Sequence, residues 1–265
     1  MLDDRARLPD RHRHVSAQKP NRAVFATVSS PYYAFLLALF VGVMLISNIT
    51  GTKGVTLFTS WLHVSLGPIQ MNGLVTDGAF YLFPLAYVLG DVISEVYGFR
   101  AMRRAIFAGF AILLLASVCF WLTILLPAAD FYDNQAAFKA VAGVVPQFLL
   151  AGLAGYLAGE FLNSFVLVKM KERAGEQRLW ARLLGSTVVG EFADTLVFCS
   201  IAASALGIST WGDFINYTAV GFVWKTLVEI LIMPITYQVC GWLKRREPSY
   251  QEALAAAGDE AAIVP

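Results

Sequence analysis

An all-α integral membrane protein of six transmembrane helices, with both termini cytoplasmic, is the architecture that this 265-residue chain predicts. Three observations carry that expectation. The chain is 57% hydrophobic and 15% charged, with a mean hydropathy of +0.61, whereas a soluble domain carries about a quarter charged residues. Apolar runs of roughly 20 residues recur along it, the length that crosses about 30 Å of hydrocarbon. Lys and Arg fall almost wholly in alternate connections between those runs. A transmembrane β-barrel would show alternating ten-residue segments instead.

Residues 1–30 are polar and basic and contain Pro, as a flexible cytoplasmic arm would be. They lack the apolar core and cleavage site of a signal peptide, so the arm is expected to be retained. The transmembrane domain is expected over residues 31–243 and a polar, weakly helical cytoplasmic tail over 244–265. The first span is expected from Tyr32 to Thr50, closing on Ser47-Asn48-Ile49 and leading to Lys53. A connection over 51–73 contains the alternating piece Val55-Thr56-Leu57-Phe58, which suits a small hairpin or a re-entrant segment equally. Further spans are expected at Ala79–Tyr97, Ile106–Leu126, Val144–Val168, Leu183–Leu206 and Tyr217–Trp242, the last kinked at Pro234.

Orientation follows from the cations. Seventeen of the twenty Lys and Arg residues fall in the N-terminal arm, the second-to-third and fourth-to-fifth connections, and the C-terminal end. The alternate connections hold only Lys53 and Lys139. The positive-inside rule is therefore satisfied throughout by six helices with cytoplasmic ends, a multi-pass protein of the inner membrane. No connection is long enough for a folded catalytic module, so function must reside within the bundle.

Four spans carry polar pairs at helical spacing: Asp91 and Glu95, Glu160 and Asn163, Glu191 and Asp194, Lys225 and Glu229. Each pair marks one face of its helix, and a charged face costs at least ~2.5 kcal/mol in lipid, so these faces should turn inward. Simpler readings exist for each. Asp91 and Glu95 lie near Arg100 and Arg103 and could form a boundary ion pair. Lys225 and Glu229 could bridge along their own helix, and the Glu191–Asp194 pair could serve only to neutralise Lys225. Six carboxylates against one clear cation nevertheless exceed what a structural network needs. The surplus points to ligand acceptors or proton carriers.

Gly159-Glu160-Phe161-Leu162-Asn163-Ser164 is weakly similar to Gly190-Glu191-Phe192-Ala193-Asp194-Thr195. Such copies on successive, oppositely directed helices would be related by an axis in the membrane plane. Gly155-x-x-x-Gly159 suits close helix approach, as ordinary bundle packing in preference to a dimer seam. Cys119, Cys199 and Cys240 are far apart and read as small core residues, and no metal or cofactor motif is present.

The string Gly90-Asp91-Val92-Ile93-Ser94-Glu95-Val96-Tyr97-Gly98-Phe99, followed by Arg103-Arg104, resembles the signature of the queuosine precursor transporter family, formerly grouped by vitamin uptake. Ser47-Asn48-Ile49 with Lys53, and Gly190-Glu191-Phe192-Ala193-Asp194-Thr195-Leu196-Val197-Phe198, fit the same pattern. The resemblance spans roughly residues 35 to 243; the long basic arm and the longer first connection depart from it. It implies uptake of 7-cyano- or 7-aminomethyl-7-deazaguanine (preQ0 or preQ1) for tRNA modification, by secondary or facilitated transport without direct contact to nucleic acid. A guanine-like edge offers two parallel donors that Glu191, Asp194 or Glu160 can accept. Lys225, Asn48 or Asn163 would donate to the ring carbonyl, and aromatics such as Trp224 would cover the ring. Asn48, Lys53, Asp91, Glu95, Glu160, Asn163, Glu191, Asp194, Trp224, Lys225 and Glu229 are thus the candidate binding residues.

Rival classes compete with this reading. The chain could be the substrate-capture subunit of an ATP-driven vitamin or nucleobase importer, docking through Ala34-x-x-x-Ala38. An intramembrane enzyme is disfavoured because no His lies in a span and no HExxH occurs. A channel is disfavoured because the mixed pairs make no ring. Proton coupling and a homodimer are both left open.

Overall fold

The computed structural model describes residues 24–59, 61–66, 69–174 and 179–263. It is predominantly helical, and its helices follow the expected spans with shifted ends. Helix α1 covers Pro31–Thr50 and starts on a Ser30 cap, whose side chain accepts from the Tyr32 N–H, with Pro31 in the first turn. Helix α2 (Phe83–Tyr97) is followed by α3 (Phe99–Leu125), a short α4 (Gln135–Ala142), α5 (Val145–Ala174), α6 (Leu179–Ala202), α7 (Trp211–Arg246) and α8 (Pro248–Ile263).

Among the described residues, five stretches are long and apolar enough to cross a membrane: Pro31–Thr50, Phe99–Leu125, Gln135–Asn163, Gly185–Ala202 and Trp211–Arg246. The expected second span differs. Residues 79–82 form turns, and α2 proper has 15 residues. At 1.5 Å per residue that is about 22 Å, short of the hydrocarbon width. Helix α2 nevertheless packs within the bundle, against α1, α3 and α7. Its Val92, Ile93 and Val96 are fully buried, in one core with Tyr33, Phe40 and Ala105. The third span starts seven residues earlier than its hydropathy suggested, because Gly98 at φ +84° turns α2 directly into α3. Arg100, Arg103 and Arg104 therefore sit on the first turns of α3 and not in a loop. Phe107, Leu114, Leu115 and Trp121 point outward from α3, as lipid-facing residues do. Cys119 joins them there, while Cys199 and Cys240 are buried, so only two of the three cysteines are core residues.

The connection after α1 is a hairpin in two tiers. Strand β1 (Gly54–Leu57) pairs antiparallel with β4 (Leu74–Asp77), in register Gly54 to Asp77, and β2 (His63–Leu66) pairs with β3 (Ile69–Asn72). The tiers break at Phe58 and Gly73, which both have positive φ, and a Cβ on Gly73 would lie 2.6 Å from the Leu57 carbonyl. Buried Asn216 of α7 fixes the joint: its Nδ2 donates to the Gly73 carbonyl at 2.8 Å and its Oδ1 accepts from the Val75 N–H at 3.2 Å.

At the arginine-rich end, the segment before α1 and the start of α8 meet on one carboxylate. Glu247, 1% exposed, accepts from Tyr97 Oη at 2.8 Å, from Ser249 Oγ at 2.7 Å and from Ser30 Oγ. Ala26 N–H donates to the Val96 carbonyl and Thr27 N–H to Ser249 Oγ, completing the tie. The C-terminal segment is thus helical over Pro248–Ile263 and attached at its start; of the arm expected over residues 1–30, residues 1–23 lie outside the described residues and the rest is tied down as above.

Burial raises the Glu247 pKa, but hydrogen bonds from Ser30, Ser249 and Tyr97 outweigh it and hold the carboxyl below its ordinary value. Its folded pKa lies under its unfolded one, so this stabilisation is present above the ordinary carboxylate pKa and is lost as pH falls through the folded value. Acidification should accelerate amide exchange at Ala26 and Thr27 beyond the intrinsic pH effect, measured by hydrogen-exchange mass spectrometry. Glu247→Ala should produce the same loosening at neutral pH, at a cost of about 1–3 kcal/mol for the stranded donors.

Candidate functional site

The site forms where α6 crosses α5. Those two helices make the most extensive pair in the molecule, and glycine lets their backbones touch. A Cβ on Gly159 would lie 3.0 Å from the Gly190 carbonyl and 2.9 Å from Asp194 Cβ. A Cβ on Gly190 would lie 2.9 Å from the Gly159 carbonyl and 2.8 Å from Asn163 Cβ. The same two contacts occur once in each direction, as a local two-fold axis through the crossing requires. The similarity between the sequences after Gly159 and Gly190 thus corresponds to a spatial relation in which Asn163 matches Asp194.

Helix α7 brings the cation. Lys225, 8% exposed, forms an ion pair with Asp194, and its Nζ lies 6.0 Å from the centroid of Phe198. A buried ammonium needs such a partner, because desolvating it alone is expensive. The ion pair shown among the described residues is thus across helices, to Asp194 on α6, and not the intrahelical one to Glu229. From α2, Tyr87 donates to Glu191 Oε1 at 3.0 Å. The other oxygen, Glu191 Oε2, is buried with no hydrogen-bond partner among the described residues, and so is Asn163 Oδ1.

These groups surround one cavity of about 310 Å³, lined by Tyr87, Tyr156, Asn163, Glu191, Asp194 and Lys225. A smaller void of about 20 Å³ lies on the hairpin side of the same ion pair. Its wall includes Asp77, Phe80, Thr195, Tyr217, Trp224 and Lys225. There Asp77 accepts from the Ala79 N–H and from Tyr217 Oη, both at 2.9 Å. Burial pushes the Asp77 carboxyl above its ordinary value, against the opposing pull of those bonds and of the Lys225 charge.

The candidate residues therefore divide. Asn163, Glu191, Asp194 and Lys225 share the larger cavity, and Trp224 lines the smaller one while donating from Nε1 to the Phe80 carbonyl at 2.9 Å. Glu160 lies on α5, but its side chain is outside the described residues. Glu229 lines neither cavity and lies within electrostatic reach of Glu191 and Asp91. Asp91 and Glu95 open on a separate cavity of about 720 Å³ at the arginine-rich end, where Glu95 pairs with Lys244 and not with an α3 arginine. Asn48 turns back on its own helix to donate to the Met44 carbonyl at 2.9 Å, and Lys53 is exposed beside the hairpin.

Sequence reasoning missed Tyr156 and Asp77, and it counts Tyr87 and Tyr217 only among the many aromatics that could cover a ring, not as hydrogen-bond partners of Glu191 and Asp77. Tyr87 was accessible to it, since Tyr87, Asp91 and Glu95 repeat every four residues along one face of α2. Asp77 precedes the apolar run and falls outside every expected span.

Gly190→Ala should force α5 and α6 apart and cost about 1–3 kcal/mol, read as a lowered thermal midpoint in detergent. Gly152→Ala is the contrast. No atom lies within 4 Å of its added Cβ, so helix propensity should leave stability unchanged or raise it by up to ~1 kcal/mol.

Residues 77–239 match the family described as "Putative vitamin uptake transporter". Over 170 residues the chain is 25% identical to a "Probable queuosine precursor transporter" of Bacillus subtilis (strain 168), covering 64% of this chain and 73% of that protein. Over 179 residues it is 24% identical to the "Queuosine precursor transporter" of Escherichia coli (strain K12), covering 65% and 76% respectively. No solved structure matches it. The matched segment begins at Asp77 and encloses every residue that lines the two cavities beside Lys225, apart from Thr76. With most of the chain under that family's match, and with several apolar helices packed around a polar centre, this multi-pass membrane protein belongs to the queuosine precursor transporter family.

Proposed function

We propose that the chain imports a 7-deazaguanine queuosine precursor, preQ0 or preQ1, across the inner membrane, with the base bound in the cavity between α2, α5, α6 and α7. One observation carries this reading. Glu191 Oε2 and Asn163 Oδ1 are buried acceptors without described partners, and both belong to residues lining a cavity of about 310 Å³. Orphaned buried acceptors are costly, and a ligand that supplies donors removes that cost. A guanine-like edge presents two parallel donors, N1–H and the exocyclic amine. The volume lies at the lower end for small-molecule sites, as suits a single bicyclic base.

The roles follow from the chemistry present. Glu191, aligned by Tyr87, and Asp194 accept from the donor edge. Lys225 donates to the ring carbonyl, where an ammonium is strongest when water is excluded. Tyr87 and Tyr156 supply aromatic faces for the ring. The names of the two relatives support the substrate class. The sequence holds no ATP-binding motif, so uptake would draw on the substrate gradient, on trapping inside the cell, or on proton coupling.

Uptake of labelled preQ0 by proteoliposomes containing only this chain tests the reading and excludes the ATP-driven alternative. Glu191→Gln and Asp194→Asn should each reduce that uptake at least about a hundredfold, the loss of a charge-assisted pair of roughly 2.7 kcal/mol, while insertion stays normal. Normal uptake by both variants would remove the fifth-span pair from the site.

A further inference from the structure

We propose that the cavity of about 720 Å³ at the arginine-rich end is a second ligand site that takes a primary ammonium, with Asp91 as its counter-charge and Thr236 as its hydroxyl contact. Naming preQ1, the aminomethyl base, as the ligand rests on the reading above; the ammonium chemistry does not.

The cavity lies between α2 and α7, which pack against each other. Asp91, Ser94 and Glu95 line it from α2, and Thr236, Tyr237 and Lys244 line it from α7. Its volume is that of a small-molecule site. The Lys244 ammonium goes to Glu95, so that pair is close to neutral as a unit. Asp91 forms no ion pair among the described residues, and it leaves the site with a net negative charge. Glu229, one turn before the lining residue Met233, lies within electrostatic reach of Asp91 and adds to that charge.

Acidic side chains alone would not make a site, and Thr236 supplies a separate indication. A helical threonine can bond back to the carbonyl one turn earlier, as Thr226 of the same helix does to Phe222 at 2.9 Å. Thr236 does not. It is 9% exposed and lines the cavity, and its Oγ1 has no hydrogen-bond partner among the described residues. A buried hydroxyl left unbonded is costly, and a ligand N–H removes that cost. An ammonium has three donors and no acceptor, which suits carboxylate and hydroxyl oxygens together. Tyr237 adds an aromatic ring, a favourable neighbour for a cation.

The two cavities follow one another along the same helices. Tyr87 and Lys225 line the central one; Asp91 lies one turn beyond Tyr87, and Glu229 one turn beyond Lys225. A base that leaves the central cavity toward the arginine-rich end meets the second site next. The two precursors differ in the group that matters there. The aminomethyl arm of preQ1 ends in an ammonium, whereas the nitrile of preQ0 is neutral, so the second site holds preQ1 and passes preQ0.

The site is tested first without any base. Ethylammonium chloride should raise the thermal midpoint of the purified chain by about 2 °C or more above sodium chloride at equal concentration. Asp91→Asn should lose that excess, and Asp91→Glu, which keeps the charge, should retain it. Equal midpoints in the two salts for the parent, or the same excess in Asp91→Asn, would overturn the site. Thr236→Val, nearly isosteric and without the hydroxyl, should reduce the excess while leaving the midpoint in sodium chloride unchanged or higher. A lowered midpoint with the excess intact would make that hydroxyl structural and remove it from the site.

Equilibrium dialysis with labelled preQ1 and preQ0 then identifies the amine. At saturation the parent should hold two equivalents of preQ1 and one of preQ0, and Asp91→Asn one of each. Glu191→Gln should lose the equivalent that both bases share. One equivalent of preQ1 in a parent that responds to ethylammonium would overturn preQ1 as the ligand of the second site. A parent that binds neither base would reject the substrate reading, and the ethylammonium comparison would still decide the site.

Discussion

A lysine ammonium buried midway along α7 can exist only if a carboxylate meets it, and that requirement organises the centre of this molecule. Asp194 supplies the carboxylate and thereby fixes the rotation of α6 against α7. Gly159 and Gly190 then let α5 approach α6 to backbone contact, which brings Asn163 to the same space. Tyr87 reaches in from α2 to the neighbouring Glu191. Each of these groups would be expensive in lipid by itself; together they enclose one polar cavity.

The hairpin and the arginine-rich end hold this centre from two sides by different means. At the hairpin end, Asn216 and Tyr217 of α7 bind the β-strands through three hydrogen bonds, so Asp77 arrives at a fixed position above Lys225. At the other end, Glu247 gathers hydroxyls from before α1, from α2 and from α8. The first attachment places Asp77 in the wall of the small void beside Lys225. The second closes the bundle where two chain segments far apart in sequence meet.

Much of this arrangement is legible in the amino-acid sequence. Hydropathy locates the bundle helices, because burial and lipid exposure both demand apolar runs, and the 3.6-residue period puts Glu191 and Asp194 on one face. The helix ends are less legible. The turns before Phe83 and the early start of α3 depend on Pro84 and on Gly98 in the left-handed region, local backbone effects that hydropathy averages away. Partner choice is least legible. Lys225 has Glu229 one turn away yet meets Asp194 on another helix, and Glu95 has Arg100 nearby yet meets Lys244 from α7. Sequence spacing reports neighbours on one helix, whereas a buried charge selects its partner across helices.

The reciprocal contact of α5 and α6 at Gly159 and Gly190 has a mechanical side. The two helices lie against each other along much of their length, with Gly155 also meeting Asp194, so the seam is a line of contact and not a pivot. Splaying about one point would break the other contacts of that line, whereas a roll or slide of one helix along the other keeps it closed. Asn163 and Asp194 border the seam symmetrically, and such a roll turns their direction more than it changes their separation.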